Sequence, residues 1–269
     1  MRIMSYNTLF GGFDGPDDTR YLQQIDIILE ADPDVLMMQE AKGFPALGGA
    51  ILHATERRLG RRGFVAEAPA TGQHTAIFVK AGIVPITFEA DWAHFHHAAA
   101  IGTFEVPGLN RPLAVMSCHL CPNSPEARTR ETSYLFNRAI DDDYVAVAGD
   151  FNSVSPDDEE PKGLEDLPPR FRMRYTASDG RADRSTMASL LRAGYVDVAA
   201  SLGCNHIPTV PGKGFSGTEL PVFRSDYILA SKGLAEKAIA YEVIQSDTAG
   251  FASDHYPIFA DFQLDAPAM

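Results

Sequence analysis

The chain has 269 residues, 45% of them hydrophobic and 22% charged, and a formal net charge of −13 at pH 7. These ordinary fractions predict a packed globular protein of one large domain or two small ones, rather than a disordered chain. The acidic balance disfavours a protein held to duplex DNA mainly by phosphate contacts. No apolar run approaches the ~20 residues that cross a bilayer, so we expect no membrane span.

The first half of the chain alternates strand and helix patterns. Residues 2–8 predict a short strand, and apolar residues at helical spacing over 21–29 predict a helix after it. VLMMQE then predicts a buried strand that ends at Glu40, and a second helix is expected over 47–59, ended by RRGF. The pattern is that of a strand–helix–strand unit followed by another helix.

Strand patterns dominate the rest of the chain. TAIFVK, VPITFEA, AAIGTFEV and PLAVMSCHL each predict a strand, a helix is expected over 125–140, and YVAVAGD predicts a further buried strand. Residues 155–174 are Pro-rich and charged, which indicates a long surface loop, and a helix is expected over 185–195. RSDYILAS, AIAYEVIQS and YPIFADFQL predict the final strands. This order favours an α/β or α+β fold with substantial sheet.

The chain begins directly with a strand pattern, without the basic and apolar segments of a signal peptide. Its three cysteines are an odd, small number that fits a reducing compartment, and Cys118-x-x-Cys121 has no second pair to complete a zinc site. We therefore expect a cytoplasmic protein.

Two segments of the chain resemble each other. MSYNT and MSCHL each end an apolar strand, and each is followed by a helix and by a second apolar strand that ends in an acid. The first unit runs from Asn7 to Glu40, and the second runs from His119 to Asp150. Because ligands in α/β folds gather at the carboxyl ends of strands, we expect these four residues and Asn152 to converge at one edge.

Polar residues also mark two late strands. Asp226 begins the strand in FRSDYIL, and Asp254 and His255 directly precede the strand in SDHYPIF. Taken singly, each is an ordinary turn or cap residue. Taken together with the earlier residues, they give the order N…E…H…D-x-N…D…D-H, all at strand ends, which favours a shared site.

The residue types fit phosphate chemistry. Glu40 and a second carboxylate would bind a hard divalent cation through oxygen. Asp150 and Asn152 are two apart, so on an extended chain both point the same way, one able to orient water and the other to hold a phosphate oxygen. His255 paired with Asp226 would stay protonated and donate to a phosphoryl oxygen.

This pattern resembles the endonuclease/exonuclease/phosphatase superfamily, the metal-dependent phosphoesterases related to pancreatic DNase. The resemblance runs from MSYNT through VLMMQE, SCHL, AGDFN and SDYIL to SDHYP, nearly the whole chain. It implies a single catalytic domain over residues 1–269. It also implies a four-layer α/β sandwich, with two mixed sheets face to face and helices outside.

The resemblance also implies a metal site. Glu40 matches the family's metal-binding glutamate, and Asn7 and Asp254 match residues near the metal and the phosphate. The implied cofactor is Mg²⁺ or Mn²⁺.

The reacting groups follow from the same resemblance. Asp150 matches the acid that positions or activates the attacking water, and Asn152 matches the amide that holds the phosphate. His255 matches the histidine that stabilises the transition state, and Asp226 the carboxylate that orients it. His119 matches a second histidine of the DNase and phosphatase branches. In the DNase branch a glutamate helps to hold this second histidine, whereas the comparable segment here, GQHTAIFVK, has no glutamate.

Three arginines are candidates for contact with the substrate phosphate. Arg128 begins the helix after SCHLCPNSP, Arg172 lies in the loop after GDFN, and Arg224 precedes Asp226 by two residues. The alternative for each is a solvated helix or loop position. The histidine-rich segment over 92–97 could form a pocket rim or a second metal site, but we expect a surface loop that leads into a strand.

These observations leave three functions open. The first is a phosphoesterase that acts on a small or accessible phosphate compound, which the acidic balance favours. The second is a nuclease, which needs a basic track on the face that carries the motifs. The third is a catalytically silent binding or scaffold member of the fold. The expected substrate is therefore a phosphorylated small molecule or a nucleic acid.

Overall fold

Two mixed sheets form the centre of the protein, here in a computed structural model that describes residues 1–217 and 219–264. Over this described part, each sheet has six strands, in the orders β11-β12-β1-β2-β4-β3 and β5-β6-β7-β8-β10-β9. The strands are β1 (Arg2–Asn7), β2 (Val35–Gln39), β3 (Arg61–Ala66), β4 (Thr75–Lys80), β5 (Val84–Asp91), β6 (Ala99–Glu105), β7 (Leu113–His119), β8 (Tyr144–Asp150), β9 (Val196–Asp197), β10 (Asp226–Ala230), β11 (Ala238–Val243) and β12 (Ile258–Phe262).

Helices cover the outer faces of both sheets. They are α1 (Thr19–Ala31), α2 (Ala46–Leu59), α3 (Pro125–Thr132), α4 (Pro169–Arg172), α5 (Ser185–Arg192), α6 (Val198–Ser201), α7 (Lys232–Ala235) and α8 (Asp247–Ala252). Within the described residues, no helix is both long enough and apolar enough to cross a membrane. The predicted domain of residues 1–269 includes Thr218 and residues 265–269, which lie outside the described part.

Side-chain alternation builds the layers. Ile3 and Met37 point between the two sheets, where they join Val115 and Ile228 in one apolar core. Their neighbours Met4 and Leu36 point outward and pack against helices α1 and α8, while the outer face of the second sheet packs against α5. Strands buried on both faces read as nearly continuous apolar runs, as β2 does in VLMMQ. The arrangement confirms the predicted four-layer α/β sandwich.

The two strand–helix–strand units are both confirmed. β1 pairs parallel with β2, so that Asn7 lies opposite Gln39, and β7 pairs parallel with β8, so that His119 lies opposite Asp150. β10 runs antiparallel to β8 and places Asp226 opposite the same Asp150. His119, Asp150 and Asp226 therefore form one row across three neighbouring strands of the second sheet.

Three local predictions need correction. The segment RRGF does more than end α2: Gly60 closes that helix with a left-handed φ of 63°, and β3 begins at the next residue. The helix expected over 125–140 ends at Thr132, because the hydroxyls of Thr132 and Ser133 bond back to the carbonyls of Thr129 and Arg130.

The segment over 155–174 is not only a surface loop. It contains the short helix α4, and it buries Leu164 and Leu167 in a small cluster with Val154, Tyr175 and Phe223. This cluster packs beside the edge of the second sheet where the polar residues converge, and so it gives that edge a fixed wall.

Candidate active site

A cleft of about 230 Å³ opens at the edge where β1, β7 and β8 end. Six of the predicted site residues line it, and Asn7 and Asp226 lie directly behind them, bonded to cleft residues. The structure thus brings together the whole polar series that the sequence predicts: Asn7, Glu40, His119, Asp150, Asn152, Asp226, Asp254 and His255.

Backbone geometry explains the sequence of the Gly-Asp-Phe-Asn turn. A Cβ at Gly149, where φ is 148°, would lie 1.7 Å from the carbonyl oxygen of Cys118, so only glycine fits beside β7. Phe151 is fully buried in the core between the second sheet and α5. Asn152 takes a left-handed φ of 49°, a conformation that asparagine tolerates well. The acid and the amide therefore remain at the edge while the ring between them anchors the turn.

The two oxygens of Asp150 have different environments. Oδ1 is held firmly by the hydroxyl of Ser225 at 2.6 Å and by the backbone N–H of Asn152 at 2.9 Å. Four donors converge on Oδ2 at 3.2–3.5 Å, namely Asn7 Nδ2, Asn152 Nδ2, His119 Nε2 and His255 Nε2. The two amide distances of 3.2 Å lie at the upper end of the hydrogen-bond range, and the two histidine distances exceed it. One oxygen thus fixes the carboxylate, and the other remains available to a water molecule.

His255 is held as a cation. Its Nδ1 lies 2.8 Å from Oδ2 of Asp226, which also accepts a 2.6 Å bond from the hydroxyl of Thr209. Burial alone would lower the pKa of His255, but the carboxylates of Asp226, Asp150 and Asp254 outweigh it and hold the pKa well above its usual value. The same histidine, with His119, holds the pKa of Asp150 below its usual range despite burial.

Asp150, Asp226 and His255 also have the spacing of a metal-ligand group within the described residues, with atoms within 4.8 Å of one another. Both ring nitrogens of His255 already face these carboxylates, at 2.8 and 3.5 Å. We therefore assign the positive charge at this position to the imidazolium rather than to a metal ion.

A second carboxylate pair fits a divalent cation better. Glu40 and Asp254 both line the cleft, and burial together with the charge of Asp254 raises the pKa of Glu40 to about 7. Burial, and then Asp150, also raises the pKa of Asp254, although His255 opposes this. Asn7 Nδ2 lies 3.5 Å from Glu40 Oε1. Two half-buried, mutually repelling carboxylates supply the oxygen ligands that a hard divalent cation prefers, so the residues present fit such a cation.

Backbone strain is concentrated at this cleft. Of the six non-glycine residues with positive φ in the described chain, four line it: Leu9, Phe10, Glu40 and Asn152. The backbone N–H of Phe10 donates to Glu40 Oε2 at 3.0 Å, so one strained residue positions another. Such conformations each cost about 1–3 kcal/mol and collect at functional sites.

The three candidate arginines are not brought to the cleft. Arg128 is fully buried and donates to the carbonyls of Cys121 and Arg174, and Arg224 is bound by two aspartates in the interior. Arg172, on α4, donates to the carbonyl of Glu165. The arginine that lines the cleft is Arg174, which pairs with Glu219 at 2.6 Å.

Three residues that the sequence does not mark as site residues hold the site side chains and backbone by hydrogen bonds. Ser225 holds Asp150, and Thr209 holds Asp226. Ser253 donates to the backbone carbonyl of Asn7 and accepts the N–H of His255. Ser225 and Ser253 each precede a site aspartate, in SDYIL and SDHYP, so the repeated Ser-Asp pair was a visible signal.

The histidine-rich segment over 92–97 divides into two parts. Trp92 and His94 are exposed, as a surface loop requires. His97 is buried, lines the cleft and stacks on His119 with ring centroids 4.2 Å apart, so the surface-loop prediction is wrong for this residue. Its burial depends on an irregular segment before β6, which periodicity does not reveal.

Comparison with known proteins identifies the family. Residues 4–255 match the Endonuclease/Exonuclease/phosphatase family. The chain belongs to this family. Members of the endonuclease/exonuclease/phosphatase family hydrolyse phosphate esters, and this activity is assigned to the protein. No curated protein matches the sequence significantly.

Solved structures share the endonuclease/exonuclease/phosphatase fold along nearly the whole chain. An AP endonuclease from Archaeoglobus fulgidus is 20% identical, with a TM-score of 0.70 over 98% of this chain and 100% of that one. A mannosyl-6-phosphatase from Bacteroides thetaiotaomicron is 14% identical, with a TM-score of 0.70 over 98% and 100%. The 3′ phosphatase NExo from Neisseria is 20% identical, with a TM-score of 0.68 over 98% and 99%. At these identities the likeness concerns the fold.

Proposed function

We propose that the protein hydrolyses a small or accessible phosphate compound with Mg²⁺ or Mn²⁺, by in-line attack of water and without a covalent enzyme intermediate. The observation that carries this proposal is the convergence of four donors on one oxygen of Asp150, near the carboxylates of Glu40 and Asp254, whose pKa values stay raised despite the charge of His255. Donors directed at one point stabilise a phosphoryl oxygen as charge develops on it.

Each side chain has a task in this proposal. Asp150, fixed through Oδ1, uses Oδ2 to orient the attacking water and accept its proton. His255, kept cationic by Asp226, donates from Nε2 to a non-bridging phosphate oxygen. The amides of Asn7 and Asn152 hold further phosphate oxygens. All of these groups are at least nine-tenths buried, so water does not weaken their electrostatic effect.

Glu40 and Asp254, with the amide oxygen of Asn7, would hold the cation, while Nδ2 of Asn7 is the atom that donates to phosphate. When bound, the cation neutralises the phosphate oxygens and the negative charge that develops during the reaction.

The cleft supports the choice of a small substrate. Its volume of about 230 Å³ is small, and the arginine in its lining is already paired with Glu219. Arg20, which donates to the backbone carbonyl of Leu9 behind the cleft, is bound to Asp14. A nucleic-acid strand needs a series of free cations along its backbone, and a small phosphate needs only the groups that surround the phosphorus.

A nuclease is the second candidate, and one observation favours it. Phe10, at the mouth of the cleft, is 41% exposed, and Lys42 lies 4.7 Å from its ring centroid. An exposed aromatic ring next to a cation is the kind of platform on which a nucleotide base stacks. The catalytically silent alternative has no observation in its favour, since the whole polar series converges.

The decisive experiment is a hydrolysis panel with Mg²⁺. It pairs bis(p-nitrophenyl) phosphate, p-nitrophenyl phosphate and sugar phosphates with single- and double-stranded oligonucleotides. EDTA and Asp150→Asn should each abolish turnover. Asp142→Asn, which alters an exposed carboxylate on the approach to β8, should leave it unchanged. Cleavage of oligonucleotides alone would replace the first candidate by the second, and no turnover of any substrate would favour the silent alternative.

A further inference from the structure

Three histidines line the cleft, and two of them, His119 and His255, are held in different ways. His255 has a carboxylate at Nδ1, whereas the Nδ1 of His119 is buried without a hydrogen-bond partner among the described residues. His119 is instead covered on one face by His97, with ring centroids 4.2 Å apart and planes 30° from parallel. Among the described residues, the only polar contact of the His119 ring is that of Nε2 with Asp150 Oδ2, at 3.4 Å. Nδ1 of His119 therefore lacks the carboxylate that Nδ1 of His255 has, and this environment favours a neutral His119 ring.

His97 has its own anchors, independent of His119. Its Nδ1 lies 2.8 Å from the hydroxyl of Thr71, and it is only 5% exposed. The buried carboxylate of Glu131, on α3, accepts the backbone N–H groups of both His96 and Cys121. One side chain therefore ties the segment that carries His97 to the segment that follows His119, and this tie fixes the distance between the two rings.

This arrangement does not suit a charged His119. A buried imidazolium needs an acceptor for the proton on each ring nitrogen. His255 has one at Nδ1 in Asp226, whereas Nδ1 of His119 has none among the described residues, and the ring also lies near the His255 cation. Because Nε2 faces Asp150, the neutral ring of His119 carries its proton on Nε2, and Nδ1 is unprotonated. In this tautomer the one N–H donor of the ring faces an acceptor.

We propose that His97 is a positioning residue that holds His119 as a neutral imidazole, so that His119 donates a hydrogen bond from Nε2 to a phosphate oxygen and does not protonate the leaving group. Burial, with repulsion from His255 and His96, outweighs the attraction of Asp150 and holds the pKa of His119 at about 4, in agreement with the geometry. Burial, the largest cause, likewise holds the pKa of His97 at about 2. The activity part of this proposal rests on the proposed function, and its protonation part does not.

The test compares two substitutions at one position. His97→Phe keeps a stacked ring, and His97→Ala removes it. His94→Ala is the matched control, because His94 lies on the exposed part of the same segment and stacks on Tyr134 at 4.0 Å, away from the cleft. With Mg²⁺ and bis(p-nitrophenyl) phosphate, His97→Ala should lose about 10²-fold in kcat with little change in KM, as expected for a misplaced group. His97→Phe should stay within about threefold of the parent protein, and His94→Ala should equal it.

Nitrogen NMR of the histidine side chains gives a readout that needs no turnover. In the metal-free parent protein and in His97→Phe, His119 should show the neutral Nε2–H form from pH 8 down to about pH 5.5. In His97→Ala, the His119 ring should no longer be held in the neutral Nε2–H form over this pH range, and its nitrogen signals should change. Thr71→Val, which removes the anchor of His97, should shift the His119 signals in the same direction and serves if His97→Ala does not fold.

Two results would overturn the proposal. One is a His119 signal that titrates between pH 5.5 and 8 in the parent protein. The other is a folded His97→Ala protein whose kcat and His119 signals equal those of the parent. If no phosphate ester is cleaved at all, the proposed function fails, while the NMR result still decides whether His97 holds His119 neutral.

Discussion

The protein buries two charged clusters, one around Arg224 and one around Asp150, and the two differ in how completely their charged groups are hydrogen-bonded. The guanidinium of Arg224 is bound by Asp158 and Asp197 through four contacts of 2.6–3.0 Å, and it lies over the ring of Tyr227 at 4.3 Å. Around Asp150 Oδ2 the donors lie at 3.2–3.5 Å. In the first cluster every donor that contacts a carboxylate is firmly bound, and in the second several donors share one oxygen.

This difference separates a structural ion cluster from a reactive one. A buried charge that is completely paired has no hydrogen-bonding group left for a ligand, and removing one partner destabilises the fold. The cluster around Asp150 keeps two carboxylates, Glu40 and Asp254, whose pKa values are raised, and it keeps donors that a phosphate could satisfy better than the protein does. Burial alone would not distinguish the two clusters, whereas the completeness of their bonding does.

The largest expected effect is on catalysis. Asp150→Asn should lower kcat for a phosphate ester by about 10²–10⁴-fold, the range for loss of a general base. The protein should stay folded, because an asparagine oxygen can still accept the bond from Ser225. Steady-state kinetics with Mg²⁺ and a urea titration would measure both. A variant that kept its kcat would remove Asp150 from the reaction.

The Arg224 cluster should respond in stability instead. Arg224→Met leaves Asp158 and Asp197 buried without their partner, and it should lower the free energy of unfolding by about 3–5 kcal/mol. Urea unfolding measures this loss. If KM for the substrate rose in a variant of unchanged stability, Arg224 would be a substrate ligand, as the sequence analysis considered.

A divalent cation should stabilise only the reactive cluster. At a concentration one hundred times its Kd, Mg²⁺ should add about 2.7 kcal/mol to the free energy of unfolding. Glu40→Gln should remove this gain, and it should leave the metal-free protein folded because it deletes a charge that burial disfavours. Thermal unfolding with Mg²⁺ or EDTA would check both, with Asp142→Asn as the control that keeps the full shift. An equal shift in Glu40→Gln would place the cation elsewhere.

The smallest expected effect is the pH dependence of that shift. Burial and Asp254 raise the pKa of Glu40 from its ordinary value of 4.5 to about 7 in the metal-free protein. The folded protein therefore holds more protons than the unfolded chain between these values, and its stability falls as the pH rises through this window. Because Mg²⁺ must displace that proton, its stabilising effect should weaken by up to about 1.4 kcal/mol per pH unit below pH 7. A gain that stayed constant from pH 6 to pH 8 would contradict this account.

The sequence predicts the reactive cluster better than the structural one. Asn7, Glu40, His119 and Asp150 could be predicted because they end apolar strands in two similar units, and strand ends of one sheet meet at one edge. The destination of Arg224 could not be predicted. A long side chain reaches whichever partners the tertiary structure offers, and its partners Asp158 and Asp197 come from distant, irregular segments.

The fold shows the same limit. Apolar runs predict the strands of both described sheets except β3 and β9. The RRGF segment hid β3, because a helix end and a strand start share the same few residues, and β9 has only two residues. His97 was missed for a related reason, since its position depends on the tie that Glu131 makes between two segments. The local sequence pattern predicts strands, helices and the polar residues at their ends. It does not predict contacts between irregular segments that are distant in the chain.

The row of His119, Asp150 and Asp226 across β7, β8 and β10 ties the chemistry to the backbone ladder of the sheet. These residues cannot shift relative to one another unless strands in the middle of a six-stranded sheet exchange hydrogen bonds, a motion that belongs to global unfolding. Evolution within this fold therefore has little freedom to adjust the reacting groups separately. New substrates must therefore be accommodated by changes in the loops that line the cleft. The backbone amides of His119, Asp150 and Asp226 should be among the last in the protein to exchange with solvent.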